Sequence, residues 1–338
     1  MYDKETKKRM SFTEDTERKA NYVALQWQLE QSRKAKVGMT VGEAIDKYID
    51  GRRGVLSPST IQGYESIKKY YLSDGLADTP LSLITSEDIQ DEVKRLSNET
   101  SQRTKKKISA KTVHNFHGLL SGTFKEFAPY MHIDTALPKI QKKFIELPPV
   151  EDVIGAIRGT DIELPAMLAM WLSLSISEIR GINVKNIKDG VLTICETVVQ
   201  VDGVAVHKEA TKAYERTRKL AIPPYIMELI EKTDAYKEGF GYIETRSVTA
   251  IGCRFRRVLE KAGVPHMTFH QLRHMNASVM AALNIPEKYA QERGGWKTPH
   301  TMKRVYQHTF SKERQEADRT MDDFFEKTLE GGKQHGSY

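Results

Sequence analysis

Between His132 and Pro149 the chain has little hydrophobic periodicity and holds three prolines, Pro138, Pro148 and Pro149. Proline lacks a backbone donor and biases the residue before it away from helix, so the stretch reads as a linker. It divides a chain of 338 residues into two segments, each long enough to bury its own core.

Upstream of the linker, residues 2–13 read as a short strand, a polar turn and the start of a second strand. Residues 14–36 read as a helix with Ala20, Val23, Ala24, Trp27 and Leu29 mostly on one side. Residues 1–37 are too few for a complete domain and read as part of one. Four helices are then expected between residues 38 and 131. The first runs from Val41 to Ile49, with Thr40 as its cap. The second opens at Ser57-Pro58-Ser59-Thr60 and carries Ile61, Tyr64, Ile67 and Tyr71. A third spans Glu87 to Leu96 after Thr85-Ser86, and a fourth Ala110 to Phe127.

Downstream, residues 150–338 read as mixed. Helices are expected near 151–158, 164–173 and 177–182. Strands follow at Val191–Val201 and Val204–His207, joined by Asp202-Gly203, a hairpin signal, with another at Arg218–Ile222. Further helices are expected at 224–234, 247–262, 270–282, 286–292, 300–306 and 312–329. The fold class is therefore mainly α with a small antiparallel β-sheet: a helical domain, a linker at 132–149 and a mixed α/β domain.

Hydrophobic residues make up 39% of the chain, too many for a disordered one. No apolar run approaches the roughly 18 residues of a membrane span, and the charged N-terminus does not read as a secretory signal. Two cysteines, Cys195 and Cys253, have no metal-ligand spacing and fit a reducing cytoplasm. The net charge of +7 is uneven. Residues 1–148 carry 25 basic and 20 acidic side chains, and residues 149–338 carry 27 and 25. From Ser101 to Phe124, Arg103, Lys105, Lys106, Lys107 and Lys111 have no acidic neighbour. Such a stripe suits DNA phosphates, and equally a solvated loop.

The sharpest chemical signal is Thr268-Phe269-His270-Gln271-Leu272-Arg273-His274. His270 and Arg273 stand three apart, on one helix face. A phosphodiester needs such a pair: a guanidinium fork for the non-bridging oxygens and an imidazole to hydrogen-bond or move a proton. By itself the pair is weak. Gly294-Gly295-Trp296 and, ten residues after the tryptophan, Tyr306 in Val305-Tyr306-Gln307-His308 complete an ordered set.

That set resembles the tyrosine recombinases, and the run GGWKTPHTMKRVYQHTF is similar to integrases of phages and mobile elements of Gram-positive bacteria. The resemblance covers roughly residues 150–330. It is weaker for the helical domain, which resembles the family's core-binding (SAM-like) domain, and for residues 1–37, which resemble the end of an arm-binding domain. It implies that Tyr306 is the nucleophile, Arg273 the second phosphate-clamping arginine and His270 its neighbour. Trp296 takes a position that is His or Trp in the family. Lys212 resembles the mobile-hairpin lysine that protonates the leaving oxygen, with Lys208, Arg216 and Arg218 as competing choices. Glu178, in Ser173-Leu174-Ser175-Ile176-Ser177-Glu178-Ile179-Arg180-Gly181, matches the acidic residue that orients its neighbours.

The family's first arginine belongs where Ser175 stands. Arg180 is a poor replacement, because five positions at about 100° place it about 140° around the helix; it is expected at the surface or on the DNA backbone. Loss of one preorganised donor lowers a rate by about 10² to 10³, so cleavage is expected to be slow or absent.

The resemblance implies DNA attachment sites as substrate and a 3′-phosphotyrosyl intermediate. No cofactor, metal or ATP is expected, because cationic side chains take the metal's place. It also implies a homotetramer on DNA through the helix at 312–329, with Met321, Phe324, Phe325 and Leu329, and an accessory DNA-bending or excision factor. The rival readings are a non-cleaving DNA-binding regulator or structural subunit of the same fold, and a type IB topoisomerase.

Overall fold

A computed structural model describes residues 15–34, 38–101, 104–129, 133–141, 146–209 and 217–296, with isolated positions Ser11, Thr13, Met131, Thr298, Arg319, Met321 and Asp322. The expected strands in residues 2–13, apart from Ser11 and Thr13, and the helix at 300–306 lie outside the described residues. So does the helix at 312–329, apart from Arg319, Met321 and Asp322. The chain divides into two compact units, residues 1–142 and 143–338.

The first unit opens with α1 (Glu17–Lys34) and then builds its core from α2 (Val41–Asp50), α3 (Pro58–Tyr71), α4 (Asp74–Asp78), α5 (Ser86–Asn98) and α6 (Ala110–Phe127). Each of these five later helices starts where a hydroxyl accepts an amide of the first turn: Thr40, Ser57, Ser73, Thr85 and Ser109. Thr40 with Glu43 and Thr85 with Asp88 form reciprocal capping boxes. The apolar faces so aligned meet in one core, with Ile45 and Ile49 of α2, Ile89 and Leu96 of α5, and Phe116, Leu120 and Phe124 of α6 buried. Each large side chain contributes about 1.5–3 kcal/mol on burial. The sequence pattern missed α4, because five residues are too few to show a helical period.

In the second unit, α7 (Val150–Ile157), α8 (Glu163–Trp171) and α9 (Ile176–Arg180) come first. α8 is apolar all round and buried from Pro165 to Met170, as a helix at the centre of a core must be. Among the described residues five strands follow: β1 (Ile187–Lys188), β2 (Val191–Ile194), β3 (Glu196–Val201), β4 (Val204–Glu209) and β5 (Arg218–Ala221). They form two antiparallel sheets, β1-β2-β5 and the hairpin β3-β4. The single strand expected over Val191–Val201 is therefore two strands, parted at Cys195. The reason lies in α9's end: a Cβ on Gly181 would stand 2.4 Å from the Glu196 carbonyl oxygen. Only glycine lets β3 leave the first sheet and lie against that turn. Asp202 and Gly203 both take positive φ, 50° and 82°, as a two-residue hairpin turn requires.

The remaining helices among the described residues are α10 (Pro224–Glu231), α11 (Asp234–Glu238), α12 (Val248–Lys261), α13 (Gln271–Ala282) and α14 (Glu287–Gly294). The helix expected over 224–234 stops at Glu231, and Thr233 caps α11 as a separate turn. No described helix is long and apolar enough to cross a membrane.

Candidate active site

Two distant chain segments, at Arg218 and Arg273, converge on one carboxylate, that of Glu178 in α9. Its Oε2 accepts the Ser175 amide at 2.7 Å, the Ser175 hydroxyl at 2.8 Å and Arg273 Nη1 at 3.3 Å. Its Oε1 accepts Arg218 Nη1 at 2.6 Å. Ser175 is the cap of α9, and its hydroxyl also accepts the Glu178 amide. That hydroxyl is thus committed to Glu178.

Arg273, from the first turn of α13, bridges further. Nη1 donates to the Ser173 carbonyl at 2.9 Å and Nη2 to the Gly294 carbonyl at 2.6 Å. Ser173 holds φ at 58°, in the left-handed region, and is fully buried. Arg218 opens β5, and its Nε donates to the carbonyl of Arg293 at 3.1 Å. The two guanidiniums therefore grip consecutive carbonyls at the end of α14 and one oxygen each of Glu178.

The glycines of Gly294-Gly295-Trp296 make this packing feasible. A Cβ on Gly294 would fall 2.1 Å from the Trp296 ring, and one on Gly295 would fall 2.5 Å from Arg218 Nη1. Gly295 also closes α14 at φ 62°. Trp296 is 8% exposed, packs with Ala277, Met280 and Ala290, and lies 5.0 Å from the Arg273 guanidinium carbon, within cation–π range.

Burial alone would push the Glu178 carboxyl up; the Arg218 charge and hydrogen bond, the Ser175 amide and Arg273 outweigh it, and the group ends below its ordinary value. Burial also lowers the Arg273 guanidinium, opposed by Glu178 and reinforced by Arg218. His270, the residue before α13, stacks edge-to-face on His274 at 5.0 Å. Desolvation of its ring, with the Arg273 charge, holds its imidazole below the ordinary value and so neutral near pH 7.

Of the residues singled out in the sequence, Ser175, Glu178, Arg273 and Trp296 thus meet in one cluster, with His270 one turn from Arg273. Tyr306, Lys212 and Arg103 lie outside the described residues, as does Arg216. Lys208 sits in β4 opposite Thr197. Arg180 corrects its expected surface position: it is 4% exposed and donates to the Val198 carbonyl of β3. It is buried because β3 crosses over the Gly181 turn. Arg218 was only a competitor for Lys212's role, and its bond to Glu178 has no signal in the spacing.

In the first unit, Lys105, Lys106, Lys107 and Lys111 are exposed. A tight loop carries the first three. Ser101 and Lys106, and Glu99 and Ile108, are tied by backbone bonds of 2.9 and 3.0 Å, and Lys105 turns at φ 54°.

Two family models match the chain. Residues 156–313 match the phage integrase family, and residues 40–97 match the phage integrase N-terminal SAM-like domain. No curated protein matches it by sequence. Among solved structures, the chain is similar to the Tn1549 transposon integrase in complex with transposon right end DNA. The TM-score there is 0.67 and the identity 19%, over 83% of this chain and 99% of that one. It is also similar to a lambda integrase dimer bound to a COC′ core site, with TM-score 0.58, 20% identity and 91% of each chain covered. A lambda integrase tetramer bound to a Holliday junction gives 0.56 and 21% over 88% and 92%. At these identities the likeness is one of fold.

Proposed function

The chain belongs to the phage integrase family of tyrosine recombinases, and from that premise we propose that it integrates or excises a mobile element by cutting and rejoining DNA at attachment sites through Tyr306. The observation that carries this reading is the pair of guanidiniums, Arg273 and Arg218, fixed on the Glu178 carboxylate beside His270 and Trp296. Two cations against one carboxylate leave a surplus positive charge, as a site for a phosphodiester needs.

In the proposed reaction the Tyr306 oxygen attacks the scissile phosphorus and the bond to the 5′ oxygen breaks. A 3′-phosphotyrosyl link forms. A tyrosine hydroxyl has an ordinary pKa near 10, so its proton must leave as attack proceeds; a neutral His270 is the acceptor at hand. Lys212 returns a proton to the 5′ oxygen. The 5′ hydroxyl of a second duplex then reverses the step, and the phosphoester energy is retained. Arg273 holds the non-bridging oxygens and the Trp296 indole N–H donates to them.

We assign residues 38–131 as core-binding domain, with the Lys105–Lys107 loop and Lys111 on phosphates, residues 150–338 as catalytic domain, and residues 1–37 as part of an arm-binding domain. The active form is a homotetramer joined through the C-terminal helix, in the cytoplasm. A second reading, a DNA-binding subunit that does not cleave, is favoured by one observation: the Ser175 hydroxyl is bound to Glu178 and supplies no charge. Covalent capture separates the two. A pool of nicked duplexes of randomised sequence is incubated with the full chain and resolved on a denaturing gel. Adducts that vanish with Tyr306→Phe support the recombinase; retardation on a native gel with no adduct supports the second reading.

A further inference from the structure

We propose that Arg218 is a catalytic residue that supplies the phosphate-neutralising charge Ser175 lacks. The inference rests on the phosphotyrosyl reading above.

Three observations carry it. First, Arg218 and Ser175 bind the same side chain: Arg218 Nη1 meets Glu178 Oε1 at 2.6 Å, and Ser175 meets Oε2 at 2.7 and 2.8 Å. A guanidinium reaching in from β5 therefore arrives at the carboxylate that an arginine at 175 would border. Second, Arg218 is held like Arg273. Each guanidinium has one bond to Glu178 and one to a carbonyl at the end of α14, Arg293 for the first and Gly294 for the second. Gly295 leaves the space in which the Arg218 guanidinium lies. Third, the anchoring is incomplete. Arg218 Nη2 is buried and has no hydrogen-bond partner among the described residues. A buried N–H of a charged group left unpaired is unfavourable, and a phosphate oxygen would satisfy it.

The chemistry is that of the known step. The fork donates Nη2–H to a non-bridging oxygen as charge develops on the pentacoordinate phosphorus; no bond to Arg218 forms or breaks.

The test uses a nicked duplex selected from the randomised pool, made with an ordinary scissile phosphodiester and with a methylphosphonate there. The methylphosphonate carries no charge on its non-bridging atoms. On the phosphodiester, the Arg218→Gln variant is expected to form adduct at least about 100-fold more slowly than wild type. On the methylphosphonate it should stay within about tenfold of wild type, because no charge is left to neutralise. The double variant Ser175→Arg/Arg218→Gln should recover at least about tenfold on the phosphodiester. If Arg218→Gln does not fold, Arg218→Lys should show the same substrate-dependent split on a smaller scale. Equal slowing on both substrates would mark Arg218 as structural and overturn the proposal, as would an unchanged phosphodiester rate. A wild-type chain that forms no adduct, alongside a Ser175→Arg variant that does, overturns the proposal while sparing the phosphotyrosyl reading. No adduct from either contradicts that reading itself.

Discussion

Each unit holds a carboxylate buried against arginine, and the two clusters are built to opposite ends. In the first, Glu92 accepts the Ser73 amide and a fork from Arg95, three residues further along α5. Arg95 also donates to Glu99 and to the Tyr71 carbonyl. Two carboxylates surround one guanidinium, and Nε, Nη1 and Nη2 of Arg95 all have acceptors. In the second, two guanidiniums surround one carboxylate, and Nη2 of Arg218 has no acceptor among the described residues. Burial pushes both glutamates up, and their arginines and amides bring both below the ordinary value. The pKa directions do not tell the clusters apart. Their charge count does: the first carries one surplus negative charge, and the second lacks one negative charge that a phosphate would bring.

The largest effect expected is on stability. Glu178→Ala leaves two guanidiniums, 11% and 12% exposed, facing each other without their shared anion. Breaking such a buried pair costs about 3–5 kcal/mol, read by urea unfolding. Arg95 is 37% exposed, so water screens it, and Glu92→Ala should cost about 1–2 kcal/mol, mostly from the stranded Ser73 amide. Equal losses would erase the distinction between the clusters. On adduct formation per bound DNA the contrast sharpens. Arg95→Gln should stay within about threefold of wild type, against the roughly 100-fold loss for Arg218→Gln.

Acid is the next lever. Both glutamates have folded-state pKa values below the unfolded value of about 4.3. Their stabilisation is complete above that pH and is lost as pH falls through the folded values. Glu178→Gln should flatten the acid loss of stability in the second unit and leave the first unchanged; flattening in both would show the units unfold as one. For His270 the direction is also downward. The adduct rate should hold as pH falls through about 6.5 and decline only below it. An acid limb at or above that value would contradict the assignment of a neutral imidazole.

The smallest effect concerns Ser173, held at φ 58° with its hydroxyl buried and without a partner among the described residues. Ser173→Gly relieves the backbone strain and the stranded hydroxyl while keeping the carbonyl that binds Arg273. A gain of about 1 kcal/mol is expected from thermal unfolding.

The same contrast explains what the sequence disclosed. The first unit is written in local signals. Thr40, Ser57 and Thr85 each announce a helix start, and the apolar spacing of α6 gives its ends, Ala110 and Phe127. α4 escaped because one turn has no period. In the second unit, Glu178, His270, Arg273 and Trp296 stood out because their order along the chain is distinctive. What could not be read is convergence between distant positions. The Arg218–Glu178 bond spans 40 residues and the Arg273–Glu178 bond 95, and no local rule links them. The break at Cys195 was hidden for a related reason. No local signal in β2 or β3 marks the break, and the glycine that admits Glu196 so closely, Gly181, stands on another element.

One measurement bears most directly on the claim that this cationic corner serves phosphoryl transfer to tyrosine: mass spectrometry of the adduct trapped from wild-type chain on a nicked duplex, after proteolysis and nuclease digestion. The result expected is a 3′-phosphonucleotide on the peptide containing Tyr306, absent from Tyr306→Phe and strongly reduced in Arg273→Gln. Nucleotide on a different residue, or an adduct that persists without Tyr306, would contradict it.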